Sequence, residues 1–501
     1  MGLARTVLPA VACIVALPIC SAAQAEPDPK PITLSLGPHL FIDGFLIAGS
    51  TNLTRTTHQP QKLPQPVLAK DGPAHQRAWM YLTVLYDPAQ PHFRIWYNLG
   101  TSVGTAYAYA ESPDGITWER PTLGIVDVGG SAANNLFRTG GYGPGLAVDD
   151  GPDCPDPARR YKTFLFGSFV DGRVTHHQPG NPSGLCVSFS ADGIHWNDYE
   201  ANPVLPYYDE ASPDFRRAAG DISDTIWDPL KKRYLLLLKM YAVPEDGYPG
   251  ATANAAPGQR RLVGQSESPD FIHWTEPRRI VVPDKNEPGC EEYYGMHPMV
   301  RGGQYIGFLR VLRDDLPADG GGPVQGIGWT ELCTSRDGET WQRFREPFLD
   351  RSREPGTWDH AMAWFGDCVQ VGDEEFIYYG GYSAGHKVGD RQIGLAKLRA
   401  NGFVSRDAGG ARGYLRTPFV ALSASTMSVN ADVEGELRAR VLDAEGRPLP
   451  GFDWDDCSPI RGDSVRHAVR WSGDLRSLGG RPVRLEFALR NASLYAFDLA
   501  Q

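Results

Sequence analysis

The sequence predicts an all-β fold: a five-bladed β-propeller over residues 26–410 and a small β-sandwich over 411–501, behind a signal peptide over 1–25. Three observations predict it. One seven-residue signature recurs four times. Runs of β-branched and aromatic residues of strand length precede each copy. The 501 residues include 56 Gly and 41 Pro, a density of turn formers that suits many short strands better than long helices.

The N-terminus carries Arg5, an apolar run from Val7 to Ile19, and Ala23-Gln24-Ala25 as an A-x-A cleavage site. The run is short for a membrane span. The mature protein is therefore expected in the periplasm or outside the cell. Of eight Cys, six lie beyond the leader: Cys154, Cys186, Cys290, Cys333, Cys368 and Cys457. Their spacing fits no zinc site. An oxidising compartment permits disulfides, and Cys154–Cys186 and Cys290–Cys333 each fall within one repeat; the alternative is six small buried hydrophobes.

The signature reads Ser112-Pro-Asp114-Gly-Ile-Thr-Trp118, Ser190-Ala-Asp192-Gly-Ile-His-Trp196, Ser268-Pro-Asp270-Phe-Ile-His-Trp274 and Ser335-Arg-Asp337-Gly-Glu-Thr-Trp341. Its period matches a propeller blade with insertions. Asp-Gly is a turn in which Gly accepts positive φ and Asp caps its own backbone. The Trp opens the next strand and buries a ring between blades. The signature is thus a structural staple, and its Asp residues are not catalytic. Strand-like runs precede the copies: Tyr81–Tyr86 and Phe93–Tyr97, Tyr161–Phe166, Thr225–Trp227 and Tyr234–Leu238, then His297–Val300 and Tyr305–Leu309. A fifth unit runs through Trp358–Trp364, Glu375–Tyr379 and Gln392–Leu398 without the signature. Leu40–Ile47 is expected to close the ring or pack across its bottom. Five runs between Thr426 and Phe497 alternate as sandwich strands.

A net charge of -11 disfavours nucleic acid and anionic membranes and leaves an oligosaccharide or polysaccharide as the expected partner. In a propeller, polar residues opening the inner strands converge on the axis. The acids expected there are Asp149-Asp150 in blade two, Asp221 and Asp224 in blade three, Glu291-Glu292 in blade four and Asp359 in blade five. Converging carboxylates repel, so one pKa rises while another stays low, which supplies an acid and a base for glycosidic cleavage. Asp150, Asp224, Glu292 and Asp359 are the catalytic candidates, with Glu292 first for acid/base and Asp150 or Asp224 as nucleophile or base. Arg55, His58, Tyr294, His360 and His386 are the substrate-binding candidates. No cofactor is called for, although a carboxylate-lined axis could hold a structural Ca²⁺.

Five blades followed by a sandwich resemble the glycoside hydrolase family 32 and 43 clan, of the divergent kind described as family 32 N-terminal domain-containing. The resemblance covers most of the mature chain and implies a glycosidase with a carboxylate pair in the funnel. The family 32 pattern has Arg-Asp-Pro in blade two, where this chain has Asp149-Asp150. It has a Glu-Cys in blade three, where this chain has Asp224. Of the blade-one Trp-Met-Asn-Asp-Pro motif only Trp79-Met80 is present. A non-catalytic carbohydrate-binding propeller and a sialidase-like hydrolase are the alternatives, the latter because the repeated signature resembles an Asp box.

Overall fold

The computed structural model describes residues 30–206, 220–242, 246–248, 260–286, 289–319 and 322–501. The signal-peptide segment lies outside them. Five antiparallel blades follow one another along the chain, the last two joined into one sheet by a parallel bridge between Gly328 and Met362. Blade one spans 77–139, blade two 148–206, blade three 223–281, blade four 291–349, and blade five takes Met362–Val371, Glu374–Tyr382 and Arg391–Arg399. The fourth strand of blade five comes from the N-terminal end: Gln61–Lys62 pairs antiparallel with Ala396–Lys397 and closes the ring. Leu40–Ile47, expected to close the ring or pack across its bottom, does not close it; Leu40 and Ile42 pack into the core formed by blades four and five. Gly37–Leu40 pairs with Ala496–Leu499 in the sandwich. Beyond it, Asp43 accepts from Arg336 Nη2 (2.7 Å) and Gln304 Nε2 (3.2 Å), which pins the sandwich to the turn end of blade four.

The sandwich therefore mixes both ends of the chain. Thr54–Thr57 pairs with Val404–Asp407, Gly49–Thr51 with Tyr414–Arg416, and Ile32–Leu34 runs parallel to Val420–Leu422. Two 17-residue strands, Thr426–Leu442 and Arg484–Ala500, form its spine. Each reads in sequence as two shorter strands. Register shifts after Asn430 and Val433 break the period-two pattern without ending the ladder. Phe41, Leu415, Val429, Leu437, Phe487, Leu494 and Phe497 fill the core between the layers.

The signatures are staples. In each, the Ser hydroxyl accepts the amide of the third following residue at 2.8–2.9 Å. The Asp carboxylate accepts two further amides; at Asp192 these are Ile194 and His195, both at 2.8 Å. Burial alone would raise the carboxyl of Asp270, but the amides of His273 and Ile272 and the His273 ring hold it down to about 2. The third position needs the left-handed region, with φ of 72°, 80° and 69° at Gly115, Gly193 and Gly338. Phe271 occupies it in blade three at 69°, its ring packed on Phe164 at 4.7 Å. Each turn meets a neighbouring blade. Trp96 Nε1 of blade one donates to Gly193 O (2.7 Å), and Tyr378 Oη of blade five donates to Gly115 O (2.8 Å).

The cysteine pairing is corrected: all six described cysteines are free thiols, with Cys186, Cys333 and Cys457 buried among apolar side chains. Substituting Asp192→Ala strips two amides of their acceptor, and we expect a loss of about 1 kcal/mol, read as a lower urea midpoint with any activity unchanged.

Candidate functional site in the axial pocket

Antiparallel order gives the ring two ends. One end carries the short turns between first and second strands together with the Ser-x-Asp turns. The other carries the longer loops. Inner strands end at the turn end, on Asp87, Asp228, Arg301 and Val371 in blades one, three, four and five. Counting back four residues from each reaches Thr83, Asp224, His297 and Asp367. Equal offsets place these four at one level around the axis, and all of them line a single cavity of about 240 Å³. Every blade contributes to its wall: Met80, Tyr81 and Leu82 from blade one, Pro144 and Ala147–Asp149 from blade two, Ser223–Trp227 from blade three, His297 from blade four and Asp367 from blade five.

Hydrogen bonds link this level across blades. Arg310, 1% exposed, donates to both oxygens of Asp224 at 2.7 and 2.8 Å. His297 stands between the carboxylates, its Nδ1 3.3 Å from Asp224 and its Nε2 3.6 Å from Asp367. Asp367 accepts the amides of Val84 (2.8 Å) and Cys368 (2.7 Å). Thr83 Oγ1 donates to Leu146 O at 2.6 Å.

The two acids diverge. Burial pushes both upward. At Asp224 the Arg310 guanidinium, with His297, overcomes burial and holds the carboxyl well below the usual range. At Asp367 burial wins over His297 and the two amides, and the nearby Asp224 charge adds to the rise. A carboxyl held below the usual range thus faces one pushed above it, across an imidazole. Two further side chains lining this cavity are unsatisfied. Ser223 Oγ and Thr225 Oγ1, in residues 3% and 5% exposed, have no hydrogen-bond partner among the described residues. A buried hydroxyl left unpaired costs about 1–3 kcal/mol, and both are shut off from solvent.

Of the four expected acids, only Asp224 lines this cavity. Asp150 follows its inner strand rather than opening it. At the turn end it pairs with Lys162 and accepts from Tyr234 Oη (2.7 Å), as Asp228 does from Tyr305 Oη (2.7 Å). It is one of two equivalent blade-to-blade ties. Asp359 precedes an inner strand that begins only at Met362. It is held by Lys62 (2.6 Å) and Tyr379 Oη (3.2 Å) beside the ring-closing strand. His360 next to it contacts Asp319 (2.7 Å). Glu292 is fully buried, and Arg261 Nη1 sits 2.8 Å from both its oxygens. Burial raises its carboxyl despite that partner. Tyr294 and His386 do come together near it, with ring centroids 4.8 Å apart. Arg55 and His58 belong to the sandwich side, bonded to Glu346 (2.5 Å) and Ser405 (2.7 Å). The four acids therefore do not gather in one pocket.

His297 and Asp367 escaped the sequence reading. Aligning the blades on the residue before each first turn, Asp87, Asp228, Arg301 and Val371, would have found them. No group of three or more His, Cys, Asp or Glu among the described residues converges as a metal site; beside Asp224 the countercharge is Arg310.

Comparison with known proteins gives distant structural similarity. A glycoside hydrolase is 14% identical with a TM-score of 0.45, over 68% of this chain and 93% of that one. An N-acetylgalactosamine deacetylase from F. plautii is 16% identical with a TM-score of 0.39, over 70% and 96%. A glycosyl hydrolase from Bacteroides ovatus is 12% identical with a TM-score of 0.39, over 74% and 96%. No family model matches, and no curated protein matches.

Arg310→Met leaves a buried carboxylate without its cation. The expected cost near neutral pH is about 3–5 kcal/mol, measured by urea unfolding. The pH trend also weakens. In the wild type the depressed Asp224 pKa adds stability above the unfolded value, lost as pH falls through the folded one. In the variant only His297 is left to oppose burial, so this gain in stability with pH shrinks. Adding Asp224→Asn to Arg310→Met should restore most of the loss.

Proposed function

We propose that this protein is a glycoside hydrolase that works in the axial pocket, with Asp367 as general acid and Asp224 as nucleophile or base. The observation that carries the reading is that, of three carboxyl groups lining one small cavity walled by all five blades, Asp149 is held by Arg160 while Asp224 and Asp367 are shifted in opposite directions. In this reading Asp367 gives its proton to the leaving glycosidic oxygen, while Asp224 attacks the anomeric carbon or takes a proton from the attacking water. If Asp224 attacks, Asp367 then takes the proton of the water that releases the sugar from Asp224; if Asp224 is the base, His297, facing both, passes the proton from Asp224 back to Asp367. Tyr81 and Trp227 offer flat faces to the ring. A cavity below the ~300–1,000 Å³ of drug-sized pockets suits one terminal sugar residue, which favours action on chain ends or short oligosaccharides.

One observation favours a second reading, a non-catalytic carbohydrate-binding propeller. Both oxygens of Asp224 already accept from Arg310, which weakens it as a nucleophile. Screening aryl glycosides and plant or bacterial polysaccharides for released sugar separates the two. Under the hydrolase reading Asp367→Asn lowers kcat by about 10²–10⁴-fold with sugar binding retained, and Asp224→Asn does the same while lowering stability through the Arg310 cation left buried and unpaired. Sugar binding with no turnover by the wild type would favour the binding module. The pH profile of the wild type should be bell-shaped: activity rises as Asp224 ionises on the acid limb and falls as Asp367 loses its proton on the alkaline limb. In Asp367→Asn the alkaline limb should vanish from whatever activity remains.

A further inference from the structure

The outer face of the sandwich carries a cavity of about 390 Å³ that the acid pair does not use. It opens on four strands side by side. Gly49 pairs with Arg416, Arg416 with Glu486, and Glu486 with Arg440, so these four positions share one face of the sheet. The residues that alternate with them, Leu415, Leu485, Phe487, Ala439 and Val441, go into the core, which turns the row outward. Tyr414 and Trp454 complete the wall, with ring centroids 6.2 Å apart.

Glu486 lies on this outer face and is nevertheless only 3% exposed. Arg416 Nε donates to one of its oxygens (2.7 Å) and Arg440 Nε to the other (2.6 Å). Asp453 stands 3.5 Å from Arg440 Nη1, so two guanidiniums are matched by two carboxylates and the group carries no net charge. The Trp454 loop is fastened in advance of any guest. Asp453 and Asp456 form a capping box around its first turn, Arg438 Nη1 donates to Trp454 O (2.8 Å) and Cys457 O (3.0 Å), and the Arg440 guanidinium lies 4.5 Å from the indole centroid. Tyr414 Oη and Trp454 Nε1 make no hydrogen bond among the described residues, and neither is shut off from solvent. The Arg416 side chain is 45% exposed, with its Nη1 unbonded among the same residues. Tying three strands together needs the ion triplet alone. Two rings with unbonded donors beside a cavity are a further feature, and fixed planar hydrogen-bonding groups next to aromatic rings suit a sugar.

We propose that this cavity is a second, non-catalytic sugar site that takes one residue of an uncharged polysaccharide and keeps the protein on its polymeric substrate. Tyr414 and Trp454 stand beside the pyranose, and Arg416 Nη1 donates to its hydroxyls. A charged guest would find no spare counter-charge in a balanced group, which argues for a neutral one. The volume falls within the ~300–1,000 Å³ of small-molecule pockets. The proposal rests on the sugar-directed reading above but not on cleavage.

Native affinity electrophoresis of the full mature chain tests it, in gels containing arabinan, galactan, xylan or mannan, with anionic homogalacturonan as the charged comparison. The gels use Asp367→Asn so that no polymer is cut. We expect at least one neutral polymer to retard the protein, to an extent that added salt leaves unchanged. Adding Trp454→Ala should weaken that binding about 10-fold. Adding Gly49→Leu should do the same without removing a native side chain: a Cβ at Gly49 meets nothing within 4 Å, and the pairing with Arg416 directs it to the cavity face. Gly49→Leu alone should keep the wild-type urea midpoint and the wild-type rate on aryl glycosides. Retardation by homogalacturonan alone, by no polymer, or undiminished in Gly49→Leu would overturn the proposal. The two readings fail separately. Cleavage of aryl glycosides that depends on Asp367, with no retardation by a neutral polymer, removes the sandwich site alone. Retardation lost in Gly49→Leu, with no glycoside cleaved by the wild type, supports the site and removes the hydrolase.

Discussion

The common register of the inner strands is the constraint on which the site depends. Each first turn fixes where its inner strand ends, and a side chain four residues earlier then lies at a set height on the axis. Thr83, Asp224, His297 and Asp367 meet because their strands end alike, not because they are near in sequence. A one-residue slip in any of these strands would turn its polar group to the opposite face. The staples guard against such a slip. Ser-x-Asp turns fix the outer hairpins, and Trp96 and Tyr378 tie those hairpins to the neighbouring blades.

Burial does the rest of the chemistry. A carboxyl group removed from water prefers its proton, and only a strong, well-aimed cation reverses that. Arg310 reverses it at Asp224; two amides and an imidazole do not reverse it at Asp367. The asymmetry follows from which blade supplies the guanidinium. Arg310 comes from the second strand of blade four and reaches back to blade three, leaving blade five without a full cation. At Glu292 even Arg261 fails to offset complete burial.

The architecture was legible because its signals are local and repeated. Asp-Gly turns with a following Trp state their own geometry, and strand-length apolar runs mark the sheets. The ring closure and the sandwich were legible only in part. Lys62 meets Ala396, and Leu40 meets Ala496, across more than three hundred residues, and no local pattern encodes such pairing. Within the site, Asp224 was readable as an acid on an inner strand. Asp150 and Asp359 misled because the ends of their strands were misplaced: one follows its strand at the turn end, the other stands before a strand that starts three residues later. His297 and Asp367 were hidden because Gly302-Gly303 and Gly372-Asp373 replace the Asp-Pro turns that mark the earlier blades. Tyr294 and His386 were readable as candidates, but they meet each other without lining the cavity.

The central claim is that, among the carboxyl groups lining one axial cavity, Asp224 is held low and Asp367 is pushed up. Carbon-13 NMR of labelled aspartate side chains, assigned with Asp224→Asn and Asp367→Asn, measures it directly. The account predicts that the Asp367 carboxyl titrates above the ordinary aspartate range and that Asp224 stays ionised below it. Two carboxyls titrating together within that range would contradict it.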